Sequence, residues 1–155
     1  MTRVYVAAGS NVEPETNLAR AGSELRRLFG AVDFSPAYRN RAVGFEGPDF
    51  INLVAGFDTD LPLPAVIGQL QRIESLCGRA RNAPKWEPRS MDLDLLLYGE
   101  ATINEDDLQI PHPRMHLRAF TLVPLAEIAP EIVIPAYGRV IDLLPGVAEQ
   151  EIARC

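Results

Sequence analysis

Two stretches of helical periodicity, each closed by a glycine, separate runs of strand-forming residues, and this alternation limits the fold more than any other feature of the chain. Between Glu13 and Phe29, the residues Leu18, Ala21, Leu25 and Leu28 recur at spacings of three and four, with Gly30 at the expected C-cap. Between Pro62 and Gly78, the residues Val66, Leu70, Ile73 and Cys77 form a second apolar stripe. Three β-rich runs flank these helices: Arg3 to Ala8, Phe50 to Asp58 and Met91 to Tyr98. Ala31 to Arg41 is a weaker strand. Gly9-Ser10-Asn11 is expected to turn the chain and cap the first helix. Ala42 to Asp49, with Gly44, Gly47 and Pro48, is expected to be a loop.

The order is therefore β-α-β-β-α-β, the ferredoxin-like arrangement of an α+β domain with helices packed on an antiparallel sheet. A C-terminal helical extension is expected beyond it. It comprises an extended turn at Ile110-Pro111-His112-Pro113, a helix from Arg118 to Ile128 stopped by Pro130, a short strand from Glu131 to Ile134, and a helical turn from Val140 to Leu144. The 155 residues suit a single domain, 1–155, large enough to bury a core without disulfide or metal. Of the two cysteines, Cys77 reads as a small core residue and Cys155, the last residue, as mobile.

Composition narrows the function classes. No apolar run is long enough to span a membrane. Met1 to Val6 lacks a signal-peptide core, so a cytoplasmic protein with no membrane partner is expected. A net charge of −6 argues against a sequence-independent grip on nucleic acid. The chain has no Gly-x4-Gly-Lys-Ser/Thr, Gly-x-Gly-x-x-Gly, His-Glu-x-x-His or Cys-x-x-Cys motif, which excludes the P-loop, Rossmann and common zinc patterns.

Chemistry concentrates between Arg79 and Asp94. Asp92 and Asp94 are two apart in a strand, so their carboxylates share a face, while Met91, Leu93, Leu95 and Leu97 are expected on the other. Two ionised carboxylates side by side need cations between them. Magnesium suits them, because it takes one or two protein carboxylates and completes its shell with water and phosphate oxygens. Just upstream, Arg79, Arg81, Lys85 and Arg89 place four cations within eleven residues of an acidic chain, and Lys85 is its only lysine. Arginines grip phosphates through paired hydrogen bonds, and Trp86 in the same loop could stack on a ring. On spacing alone, a solvated strand face with surface ion pairs is an equal reading. His112, held between two prolines, is either a phosphate donor or a loop histidine with a backbone partner. The prolines make a metal pair with His116 improbable.

The pattern Arg79-x-Arg81-x4-Trp86-x-Pro88-Arg89-x-x-Asp92-Leu93-Asp94-Leu95 resembles that of the 6-hydroxymethyl-7,8-dihydropterin pyrophosphokinases of folate biosynthesis. The resemblance extends to Gly9-Ser10-Asn11, Tyr38-Arg39, Gly44, Pro48 to Phe50, Asn52, Gln71-Arg72-Ile73-Glu74, Pro111-His112, Arg118, Phe120 and Pro124 to Pro130. It runs from about residue 3 to residue 134. It implies transfer of a diphosphoryl group from ATP to the pterin hydroxymethyl oxygen, releasing AMP, with two magnesium ions held by Asp92 and Asp94.

The resemblance also implies residue roles. Arg79 and Arg89 would hold phosphates beside the two aspartates. Gln71, Glu74, Arg81, Trp86, Leu95, Ile110, His112 and Arg118 would line the ATP site. Val43, Gly44, Phe50, Asn52, Trp86 and Phe120 would hold the pterin. Arg81 and Trp86 would sit on a loop that closes over both substrates. All these residues come from one chain, so a monomer is the simplest expectation.

Three departures stand out. Asn40-Arg41-Ala42-Val43-Gly44 replaces a loop that often carries prolines, Asp107 stands where some members have arginine, and Pro113 where some have an aromatic residue. None touches the aspartates, Arg79 or Arg89. Three other function classes compete: a binding module without turnover, a two-metal nuclease or nucleotidyl transferase, and a structural interaction domain, which would leave the Arg79–Asp94 constellation unexplained.

Overall fold

A computed structural model describes residues 1–41, 47–78 and 91–155. The first strand, β1 (Thr2–Ser10), leads into helix α1 (Pro14–Phe29), then β2 (Val32–Phe34), β3 (Tyr38–Asn40) and the long β4 (Phe50–Thr59). Helix α2 (Leu63–Leu76) and strand β5 (Asp92–Tyr98) follow. Beyond them lie a hairpin of β6 (Ile103–Glu105) and β7 (Leu108–Ile110), helix α3 (Ala119–Ile128), and a hairpin of β8 (Val133–Ile134) and β9 (Gly138–Arg139). The short helix α4 (Val140–Leu143) and strand β10 (Ala153–Arg154) complete the described elements. The main sheet is antiparallel, in the order β10-β3-β4-β1-β5, with β2 also pairing on β4.

The sheet is covered on both faces. Val4, Val6, Ala8, Phe57, Met91 and Leu93 pack with Ala21 and Leu25 of α1 and with Val66, Leu70 and Ile73 of α2. The helical stripes expected from periodicity are thus the ones buried, and Cys77 lies in this cluster, as expected. Tyr5, Val54, Leu96 and Leu97 pack on the opposite face with Met115, Ala119, Leu122 and Leu125. Complete burial of a Leu, Ile or Phe side chain stabilises the fold by about 1.5–3 kcal/mol.

Several expectations need correction. Gly9 and Ser10 belong to β1, and neither Ser10 nor Asn11 caps α1; Glu13 occupies the cap position without a side-chain bond. Ser10 instead donates to the Val12 carbonyl, and buried Asn11 donates through Nδ2 to the Pro48 carbonyl at 3.1 Å. Asn11 thereby ties the segment before β4 to the end of β1.

The weak strand from Ala31 to Arg41 is two strands, β2 and β3. Pro36 has no N–H to offer a ladder, while Ser35 bonds Val54 through both its backbone N–H and its hydroxyl. Both strands consequently pair with β4 at different heights.

Leu97 also lies on the face opposite to expectation. Val6 pairs with Leu95 but Tyr5 pairs with Leu97, so β5 advances two residues against one of β1. This bulge puts Leu96 and Leu97 together in the α3 cluster. Finally, Cys155 is anchored: its backbone N–H donates to the Ala37 carbonyl at 3.0 Å, next to the β10–β3 pairing.

Candidate active site

The floor of the candidate site follows from strand register. Gly9 pairs with Asn52 on one side and with Asp92 on the other. Ala7 pairs likewise with Val54 and Asp94. Partners in an antiparallel ladder point to the same face, so two rows run across three strands. Their centres are the two smallest side chains available, which leaves a depression between Asn52 and the aspartates. A cleft of about 750 Å³ opens there, a volume within the usual range for small-molecule sites. Asp92, Asp94, Phe50 and Asn52 line it from the sheet, and His112, Arg118 and Phe120 line it from the α3 side.

Phe50 lies two residues before Asn52 on β4, so both side chains face the cleft. Asn52 is buried, and its Nδ2 donates to the Asn40 side-chain oxygen. Its Oδ1 sits directly over Gly9: a Cβ at Gly9 would lie 2.5 Å from that oxygen. The glycine is required here for close approach. Tyr38, paired in register with Asn52, donates from its hydroxyl to Glu127 Oε1 at 2.5 Å. Burial, then that hydrogen bond to Glu127, raises the Tyr38 pKa. The bond ties β3 to α3.

The opposite wall is cationic. Arg118 stands at the N-cap of α3, with its guanidinium carbon 5.3 Å from the centroid of the Phe120 ring. Burial lowers its pKa; Asp94 and Asp92 act in the other direction, and Arg114 adds to the lowering. Arginine remains charged under such shifts, so Arg118 answers the aspartates across the cleft.

Of the two readings its sequence context offers, His112 has the backbone partner. Its Nδ1 accepts the Arg114 backbone N–H at 3.1 Å. Burial, then the charges of Arg118 and Arg114, push its pKa down to about 4. At neutral pH the ring is therefore uncharged, with its proton on Nε2, and that N–H can donate to an anion.

A titration follows from this arrangement. In the free protein, His112 should titrate near pH 4, and polyphosphate in the cleft should raise that midpoint by replacing repulsion with attraction. The pKa is depressed below its ordinary 6.5, so the histidine's contribution to stability is complete above pH 6.5 and is lost as pH falls toward about 4. Imidazole NMR signals read the midpoint directly. A free-protein value near 6.5 would show that the ring is not held as described.

Not every residue expected at the site lines this cleft. Glu74 reaches β5 from α2: its Oε2 accepts the Leu93 backbone N–H at 2.9 Å, on the edge strand that carries both aspartates. Leu95 packs toward the α1 and α2 cluster, and Ile110 is buried. Neither these residues nor Gln71 is among the described lining. Arg79, Arg81, Trp86, Arg89, Val43 and Gly44 lie outside the described residues.

Other lining residues were not assigned to the site from the sequence. Ala7, Gly9, Asn40 and Leu96 come from the sheet, and Arg41 from the chain just beyond β3. Leu117, Thr121, Gln150, Glu151 and Ile152 enter from the C-terminal half. Arg114 also lines the cleft and adds a cation beside Arg118.

The oxygen donors match a small hard cation. Asp92 and Asp94 occupy alternate positions of one strand and both line the cleft. Among the described residues, no three His, Cys, Asp or Glu side chains are grouped to hold a metal. A pair of carboxylates is a donor set that magnesium accepts, since it completes its shell with waters and phosphate oxygens.

A family model described as 7,8-dihydro-6-hydroxymethylpterin-pyrophosphokinase matches residues 5–130. A 2-amino-4-hydroxy-6-hydroxymethyldihydropteridine pyrophosphokinase of Pseudomonas aeruginosa is 39% identical over 156 residues, covering 98% of this chain and 96% of that relative. One of the same name from Haemophilus influenzae is 36% identical, with 99% and 98% covered.

Among solved structures, an HPPK-DHPS in complex with substrates superposes with a TM-score of 0.75 at 12% identity. The match covers 96% of this chain and 43% of that one. Plasmodium falciparum HPPK-DHPS with pteroate gives a TM-score of 0.74 at 12% identity, with 94% and 42% covered. This chain thus spans less than half the length of those structures, and at such identity the likeness concerns the fold.

Proposed function

The chain belongs to the 7,8-dihydro-6-hydroxymethylpterin pyrophosphokinase family, and on that premise we propose that its cleft moves the diphosphoryl group of ATP onto the hydroxymethyl oxygen of the pterin. The products are the pterin diphosphate and AMP, and the reaction belongs to folate synthesis. The observation that carries this reading is the row Asn52–Gly9–Asp92. Neighbouring strands lie about 4.8 Å apart, so Asn52 and Asp92 stand roughly 10 Å apart across the floor. A bicyclic pterin has about that length. With its amide edge at Asn52, its hydroxymethyl group reaches the aspartate end.

The expected residues that line the cleft, and Glu74 behind it, then have tasks. Asn52 offers its carboxamide to the pterin edge, and Phe50 and Phe120 take the two faces of the ring. Arg118 and the His112 Nε2–H hold phosphate oxygens of ATP. Asp92 and Asp94 would hold two magnesium ions; when bound, these supply charge neutralisation at the phosphates. Glu74 secures the Leu93 N–H and so fixes the strand from which the aspartates project. Gln71, Leu95, Ile110, Arg79, Arg81, Trp86, Arg89, Val43 and Gly44 enter through the family resemblance alone.

Attack of the alcohol on the β-phosphorus is an in-line displacement, for which positioning and charge stabilisation suffice. The chain contributes both through fixed groups on rigid strands and at the head of α3. We take it to act as a single-domain monomer in the cytoplasm. Among the described residues, no helix is long and apolar enough to cross a membrane.

The test is AMP release from ATP and magnesium, with and without 6-hydroxymethyl-7,8-dihydropterin. AMP formed only with the pterin, in step with a pterin diphosphate, is the expected result. Binding of both ligands without AMP would leave a binding module instead.

A further inference from the structure

The start of α3 presents a problem that its own sequence cannot solve. The first N–H groups of a helix have no partner within it. The residue at the N-cap usually supplies an acceptor, but here it is Arg118, whose guanidinium has none. The acceptor comes from 31 residues away: Gln150 Oε1 takes the Ala119 N–H at 2.8 Å. The same carboxamide donates through Nε2 to the Leu117 carbonyl, also at 2.8 Å. One side chain thus bonds the backbone on both sides of Arg118.

We propose that Gln150 is a positioning residue for the two-substrate site, fixing Arg118 and Phe120 through the peptide groups that bracket Arg118. The proposal rests on the pyrophosphokinase reading of the cleft. Arg118 joins the short turn Met115–Leu117 to α3 in an extended conformation, φ −122° and ψ 120°. Phe120 follows two residues later, and both side chains line the cleft. Without a bond on each side, the junction could rotate and take both groups with it.

Gln150 is itself held from both directions. Its backbone N–H donates to the Val147 carbonyl at 3.1 Å. After it, Ile152 packs on the α3 cluster, and β10 pairs with β3. Arg154 lies 3.8 Å from Glu127, the acceptor of the Tyr38 hydroxyl. The C-terminal segment therefore joins the β3 wall to the head of α3. A carboxamide carries a donor and an acceptor on neighbouring atoms of one planar group, which lets it bond both peptide groups at once. Gln150→Met keeps the length and loses both bonds, whereas Gln150→Glu keeps the acceptor for Ala119.

The experiment compares wild type, Q150M and Q150E in the full chain by steady-state kinetics, melting temperature and amide hydrogen exchange. In Q150M, KM for ATP and for pterin should each rise roughly tenfold, as expected for loss of two hydrogen bonds, with a smaller change in kcat. Exchange at Ala119 should accelerate. Q150E should retain slow exchange at Ala119 and recover part of both KM values. Wild-type KM values in Q150M would overturn the proposal, as would a fall in melting temperature alone. The exchange readout does not depend on turnover. Failure of wild type to form AMP would therefore count against the reaction, and unchanged exchange in Q150M against the role of Gln150.

Discussion

Asp94→Ala lowers pterin-dependent AMP formation by roughly a thousandfold or more, the scale of losing a charge-stabilising group at a phosphoryl centre, and leaves the melting temperature near that of wild type. The separation of these effects follows from strand geometry. Asp94 is exposed and lines the cleft, whereas Leu93 belongs to the α1 and α2 cluster on the other face. Removing the carboxylate leaves no hole in the core. It relieves repulsion from Asp92 but gives up attraction to Arg118, and changes at surface positions of this kind cost about 0.5 kcal/mol or less. Asp94→Asn keeps the shape and discards the charge, so it should fail similarly. Steady-state assays beside thermal melts settle the matter: near wild-type turnover in either variant would remove Asp94 from the metal-binding role.

Gly9→Ala has the second largest effect, and it acts through a neighbour. The added methyl would lie 2.5 Å from Asn52 Oδ1 and 3.6 Å from its Cγ. The nearest obstacle is the end of a side chain rather than backbone, so Asn52 can turn aside. Turning breaks its bond to Asn40, at a stability cost of about 1 kcal/mol. On the proposed reading, in which the Asn52 carboxamide meets the pterin edge, displacing it by even 1 Å is expected to lower kcat/KM for pterin about a hundredfold, while KM for ATP stays close to wild type. Asn52→Ala should reproduce the loss, and the double variant should be no worse than either single one, because both remove the same contact. Unchanged pterin kinetics in Gly9→Ala would show that Asn52 does not read the substrate from this position.

Periodicity made the helical framework legible because it reports local burial. Leu25 and Ile73 are completely or almost completely buried, each on the stripe that spacing alone identifies. Alternation did the same for Asp92 and Asp94. What stayed hidden depends on register and distance in sequence. Nothing near Gly9 announces that it lies between Asn52 and Asp92, since that follows from the pairing of three strands. Gln150 is a surface residue, and nothing in the sequence places it beside the head of α3. The division of Ala31 to Arg41 could have been suspected from Ser35-Pro36, but the β6–β7 hairpin and β10 are too short for periodicity to register. Leu97 misled for a different reason: alternation assumes an unbroken ladder, and the ladder breaks one residue before it.

That break governs which changes in chain length β5 can absorb. Loss of a residue between Asp92 and Leu95 would reverse the facing of at least one aspartate relative to the rest of the strand, turning a carboxylate toward the α1 and α2 cluster. Leu96 is different. It is the extra residue of the bulge, and its removal would join Leu95 and Leu97 into a regular ladder with Val6 and Tyr5 while leaving both aspartates opposite Ala7 and Gly9. The cost would fall on the α3 cluster, where Leu96 is buried. Shortening at this point thus trades packing for regular pairing, whereas shortening nearer the aspartates gives up the reaction.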